Sequence, residues 1–224
     1  MTTSLSPDEA LHLLKEGDRR FLDGEPYAPV TDRLARLELA AAQHPIAAYL
    51  SCSDSRVPPE LLFERGLGEL FIVRNAGNSL CNTAIGSLEF AVINLGVPLI
   101  VVMGHQQCGA MRAAVAMVRE QRRYSARIDA ALHPLLPAVL SADPWSDDLV
   151  DAAARANVLS VVQTITQESS PEIIGRIRAG RLKVVGAFYS LTSGAVDFLD
   201  ESDDGESPRC RQSGHLATNS SWRQ

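Results

Sequence analysis

"IAAYLSCSDSRVPPE", residues 46–60, opens as an apolar run and closes on charge. Ile46 to Leu50 carry aliphatic or aromatic side chains only, over the length of one strand. A run of that length with no alternation reads as a strand buried on both faces. It stops at Cys52. Asp54 and Arg56, opposite charges two positions apart, follow, and then Pro58 and Pro59. A strand that ends in a thiol, a carboxylate and a guanidinium is not completing a core; it carries chemistry at its carboxyl end.

Three more runs of the same kind lie downstream: "ELFIVRN" at 69–75, "PLIVVMG" at 98–104 and "LKVVGAFYSL" at 182–191. Between them stand helical segments: "CNTAIGSLEFAVINLG" at 81–96, "AMRAAVAMVREQRR" at 110–123 and a long helical stretch over 149–179. This alternation predicts an α/β fold with a mostly parallel central sheet of about four to five strands flanked by helices. Upstream lies an N-terminal helical arm. Ser6 is placed to cap its first helix, with Pro7 at the first helical position and acids in the first turn. Leu11, Leu14 and Phe21 form a loose apolar stripe along it. A second arm helix is expected over 31–43, capped by Thr31 after the break "EPYAPV". Residues 124–148 are rich in Pro and Asp and read as a loop with short helices. The expectation is one domain over 1–200, with a polar, disordered tail over 201–224.

Composition narrows the function classes. The chain has 224 residues, 46% hydrophobic and 21% charged, enough to bury a core without disulfides. A net charge of −6 argues against a nucleic-acid partner. No stretch approaches the roughly 18 apolar residues that span a bilayer. The N-terminus has no basic start followed by an apolar run, so a cytoplasmic protein without a membrane partner is expected.

Four cysteines are too few for a disulfide scaffold, and cysteine near His and Asp points to metal or catalysis. Sites in open parallel sheets sit beyond the carboxyl ends of the strands. Two such ends are loaded here: Cys52-Ser53-Asp54-Ser55-Arg56, and Gly104-His105-Gln106-Gln107-Cys108-Gly109. Together they offer two thiols, an imidazole and a carboxylate, a donor set suited to zinc. Gly104 and Gly109 are expected to make the sharp turn. Cys108 begins a helix, a position that lowers a thiol's pKa. Cys81 and Cys210 read as bystanders.

"CSDSRVPPE" and "SLEFAVINLGVPLIVVMGHQQCGA" resemble the two signature blocks of the β-class carbonic anhydrases. "LLKEGDRRFLDG", "GLGELFIVRNAGN" and "KVVGAFYSLTSGAVDFL" are similar to the family's N-terminal helix, second strand and last core strand. The resemblance covers roughly residues 8 to 200. It implies Cys52, His105 and Cys108 as permanent ligands of one Zn2+ per subunit, and Asp54 and Arg56 as a catalytic dyad. Asp54, two residues from a ligand, is close enough to swing onto the metal and counts as its optional fourth ligand. The implied activity is reversible hydration of carbon dioxide to bicarbonate and a proton by zinc-bound hydroxide. The implied assembly is a homodimer or tetramer, with residues 1–44 packing on the partner subunit and the cleft near the interface.

Two other readings keep the same metal. One is hydrolysis of carbonyl sulfide or carbon disulfide. The other is a non-catalytic zinc- and bicarbonate-binding protein, against which the intact Asp54–Arg56 pair argues. Some family members carry a second, non-catalytic bicarbonate pocket. It uses a tryptophan three residues before the first cysteine ligand and a glycine just before it. Tyr49 and Ser51 stand there instead, which points away from that pocket, although Arg74 and Tyr189 fall where its other residues would be.

Overall fold

A computed structural model describes residues 4–24 and 33–199. The expected Thr31 cap and the tail over 201–224 lie outside the described residues. The strands are β1 (Ala47–Cys52), β2 (Leu70–Asn75), β3 (Leu99–His105), β4 (Lys183–Tyr189) and β5 (Val196–Phe198). Their order across the sheet is β2-β1-β3-β4-β5. All neighbours run parallel except β5, which pairs antiparallel with β4.

The helices are α1 (Pro7–Asp23), α2 (Arg33–Leu39), α3 (Pro59–Leu62), α4 (Asn82–Asn94), α5 (Gly109–Arg119), α6 (Ala126–Leu132), α7 (Leu136–Ser141), α8 (Leu149–Glu168) and α9 (Pro171–Arg178). A short 3-10 turn, Ala76–Asn78, follows β2. The long helical stretch expected over 149–179 is helical and divides into two, α8 and α9. The chain leaves the α conformation at Ser169 and Ser170, and Pro171 opens α9, because the residue before a proline is driven toward extended backbone.

Every residue of β1 and β3 is buried, which accounts for their unbroken apolar runs. Side chains still alternate between two cores. Tyr49, Leu99, Val101 and Met103 face a core with α1, α5 and α7. Ala48, Leu50, Ile100 and Val102 face one with α4, α8 and α9.

Ser6 caps α1 in a full capping box: its Oγ accepts from the Glu9 N–H, and Glu9 accepts from the Ser6 N–H. The buried stripe on α1 is Ala10, Leu11, Leu14, Gly17 and Asp18. Phe21, expected on that stripe, is partly exposed. Gly17 lies so close to Phe63 that a Cβ there would stand 2.0 Å from the Phe63 carbonyl oxygen. The Arg20 guanidinium donates to Glu64 at 2.7 Å, and Arg65 donates to the Leu13 carbonyl. α1 is thus bound into its own chain. α2 buries no residue and leaves Leu34 and Leu37 exposed.

This topology positions the site. Reading outward from β1, the connection to β2 leaves one way and the sheet continues the other way through β3. A crevice opens where the strand order reverses, at the carboxyl ends of β1 and β3. Cys52 is the last residue of β1 and His105 the last of β3.

Candidate functional site

At that crevice the Cys52 Sγ, Cys108 Sγ and a His105 ring nitrogen all lie within 4.8 Å of one another, and all three residues are buried. The sulfurs are 3.9 Å apart. Two thiolates at zinc bond length from one tetrahedral centre lie about 3.8 Å apart. His105 Nδ1 sits 2.9 Å from the Gln106 carbonyl oxygen, which can only accept, so Nδ1 carries the proton. Nε2 then holds a lone pair, is fully buried and has no hydrogen-bond partner among the described residues. A lone pair orphaned beside two thiols is what a soft, tetrahedral cation requires, so the donor set fits zinc.

The thiols behave as a pair. The Cys108 thiol, as a hydrogen-bond donor, pulls Cys52 down to about 4 despite burial; the N–H groups of Asp54 and Gly77 assist. The same contact, with burial and the Cys52 charge, pushes Cys108 up. The N–H groups of Met111 and Ala110 at the start of α5 act in the opposite sense and do not prevail. The helix start thus lowers the Cys108 thiol in the expected direction but is outweighed: with one thiolate already at 3.9 Å, a second needs a cation.

The turn is also made differently from expectation. Gly104 and Gly109 do not adopt a left-handed conformation; Gln107 does, at φ 52°. Gly104 serves packing instead, since a Cβ there would meet Val158 of α8 at 2.8 Å. Gly109 opens α5 and faces open space.

Asp54 and Arg56 form a closed fork. Arg56 Nε donates to Oδ1 at 2.9 Å and Nη2 donates to Oδ2 at 2.7 Å, while the Arg56 backbone N–H also reaches Oδ1. The Arg56 side chain is the chief cause holding the Asp54 carboxyl well below the usual carboxylate range. Asp54 Oδ2 lies 4.0 Å from His105 Nε2, at the margin of the three-ligand cluster rather than within it.

Several residues supporting the site were not singled out for that role by sequence. Arg74, at the end of β2, donates to the Cys52 and Asp54 carbonyl oxygens at 2.9 and 2.6 Å and so pins the loop that carries both. Gly77 adopts φ 69°, and its carbonyl accepts from the buried Asn157 of α8. An amide on the buried face of an apolar helix is the sequence signal that could have revealed Asn157. Cys81 is exposed and outside the cluster. Tyr49 and Ser51 are fully buried, with no partner for their hydroxyls among the described residues.

A family model described as carbonic anhydrase matches residues 47–196, which include the whole of this site. The chain belongs to the carbonic anhydrase family, in its β class. It is 38% identical over 195 residues to carbonic anhydrase 2 of Mycobacterium tuberculosis, covering 87% of this chain and 94% of that one. It is 36% identical over 199 residues to the carbonic anhydrase of Mycolicibacterium smegmatis, covering 89% and 96%. Among solved structures, the β-carbonic anhydrase CcaA superposes with a TM-score of 0.65 at 27% identity, covering 85% of this chain and 95% of that one. One of two tetrameric β-carbonic anhydrases from Sordaria macrospora gives 0.65 at 26%, covering 74% and 85%. As a carbonic anhydrase the chain is an enzyme. No helix among its described residues is long and apolar enough to cross a membrane.

Proposed function

We propose that this carbonic anhydrase hydrates carbon dioxide reversibly to bicarbonate and a proton, using one zinc ion per subunit held by Cys52, His105 and Cys108. The observation that carries the reading is the convergence of three buried ligand atoms within 4.8 Å beside an intact Asp54–Arg56 fork. Bound there, zinc supplies the Lewis acidity that brings the pKa of a water toward neutrality.

The chain's own residues do the rest. Cys52 and Cys108 contribute two negative charges, which weaken that acidification relative to neutral ligands, so a nearby acceptor is needed. Asp54 is that acceptor. Arg56 keeps it ionised and fixes its orientation, leaving lone pairs beside the cluster to receive a proton donor and aim the nucleophile. Arg56 is half exposed, so its charge is also open to solvent beside the site, where it favours an anionic product. Arg74 and Asn157 hold the surrounding loops by their carbonyls, which keeps the crevice preformed. The proton released passes to solvent.

A homo-oligomer fits the same reading. α2 offers Leu34 and Leu37 to a second copy, and the Sordaria macrospora relatives are named as tetramers.

Zinc analysis of the purified chain, with hydration assays on carbon dioxide, carbonyl sulfide and carbon disulfide, tests the proposal. One zinc per subunit and turnover of carbon dioxide are expected. Zinc with turnover of a sulfur analogue alone would move the reading to that substrate. Zinc without turnover would move it to a binding protein.

A further inference from the structure

The turn that carries two of the three ligands is fastened from outside. Between His105 and Cys108 the chain passes through Gln107 at φ 52°, a conformation that favours Gly, Asn or Asp. The two intervening residues are tied to different elements. Gln106 donates its N–H to the Tyr189 carbonyl at 2.9 Å, at the end of β4. Gln107 donates its N–H to Asp151 Oδ1 at 2.7 Å, 44 positions on, in the first turn of α8. Asp151 is itself set by its helix, its N–H donating to the Asp148 cap at 3.1 Å. The Gln107 side chain is exposed.

We propose that Asp151 is a positioning residue for the metal ligands. Its carboxylate fixes the left-handed Gln107 turn and thereby the placement of Cys108 relative to His105. α8 then braces the site twice, through Asp151 on the ligand turn and through Asn157 on the Gly77 carbonyl beside Cys52. A rigid helix contacting both halves of a site is a better support than either loop alone. The inference rests on the zinc reading above. An acid in the first turn of a helix also favours the helix itself, so the test must separate the two roles.

The experiment is chelator competition for zinc on the full-length chain, with the absorption spectrum of the cobalt-substituted protein beside it. Asp151→Ala is expected to weaken zinc binding by about tenfold and to alter the cobalt spectrum, as loss of a supporting partner does. Asp151→Asn keeps an acceptor oxygen and should bind close to wild type. Gln107→Gly, placed in the Asp151→Ala background, should recover most of the loss, because glycine holds the left-handed turn unaided. Asp148→Ala removes the α8 cap but leaves the Asp151 carboxylate in place, so it should lower the melting temperature while weakening zinc binding clearly less than Asp151→Ala does. Asp151→Ala binding zinc as wild type does, failure of Gln107→Gly to rescue, or an equal loss in Asp148→Ala would each overturn the inference while leaving the function standing. A wild-type chain that binds no zinc would overturn both.

Discussion

Cys52 and Cys108, 56 positions apart, hold their sulfurs 3.9 Å from each other across the gap between β1 and α5. The distance is far too long for a disulfide and matches two thiolates on one tetrahedral ion. Cys108→Ala is accordingly expected to lose zinc and carbon dioxide hydration together. Metal analysis after dialysis checks this. A Cys108→Ala protein that retained one zinc per subunit would show that the third ligand lies elsewhere.

Arg56 touches none of the three ligand atoms, yet both Asp54 oxygens depend on it. Arg56→Ala is therefore expected to keep the metal and lower turnover by roughly 10–100-fold, the usual effect of removing an orienting partner. Arg56→Lys retains charge but not the two-pronged geometry, and should fall between. Zinc content measured beside the hydration rate separates orientation from ligation. Loss of zinc in Arg56→Ala would mean that the fork supports the ligands themselves.

Gly17 sits inside a helix, where alanine would ordinarily be better by about 1 kcal/mol. Here the missing side chain is what lets α1 lie against Phe63, since a Cβ would fall 2.0 Å from that backbone oxygen. Backbone cannot move aside as a flexible side chain can, and overpacking of this kind costs about 1–3 kcal/mol or more. Crowding outweighs propensity, so Gly17→Ala should unfold at a lower temperature than wild type. A raised melting temperature would show that α1 docks less tightly than this contact implies.

The parallel sheet was legible because β1 and β3 are buried on both faces and therefore read as unbroken apolar runs. β5 was not separable, since three residues with one buried carry too little pattern. The split between α8 and α9 did have a signal, Ser169-Ser170-Pro171, outweighed by helical periodicity on both sides. The site was legible where chemistry needs particular atoms: two thiols, an imidazole, a carboxylate and a guanidinium at two strand ends. Its supports were not. Asp151 and Arg74 act on backbone groups, and a backbone N–H or carbonyl leaves no mark on the residue that carries it. The turn was misassigned to glycines because left-handed preference is a tendency, and Gln107 departs from it with a hydrogen bond from its own N–H to Asp151.

Asp18, on the buried stripe of α1, is 8% exposed, and burial pushes its carboxyl up to about 6 against a single opposing N–H from Val196. Its Oδ1 has no partner among the described residues. The groups around it give little compensation. Tyr49 and Tyr189 are neutral and are themselves pushed up, chiefly by burial and further by the Asp18 charge, while Arg65 acts on Tyr49 in the opposite direction. A carboxyl with a raised folded-state pKa favours the fold when protonated. That contribution is complete below the ordinary value of 3.8 and is lost as pH rises through about 6. The corresponding free energy is at most about 3 kcal/mol. Asp18→Asn cannot ionise and keeps an oxygen for the Val196 N–H. Its advantage over wild type should therefore grow from pH 5 to about pH 7 and then level off. Urea unfolding of both proteins across that range is the measurement. An advantage that did not change with pH, or a variant less stable than wild type at pH 8, would show that Asp18 is paired in solution in a way this packing does not provide.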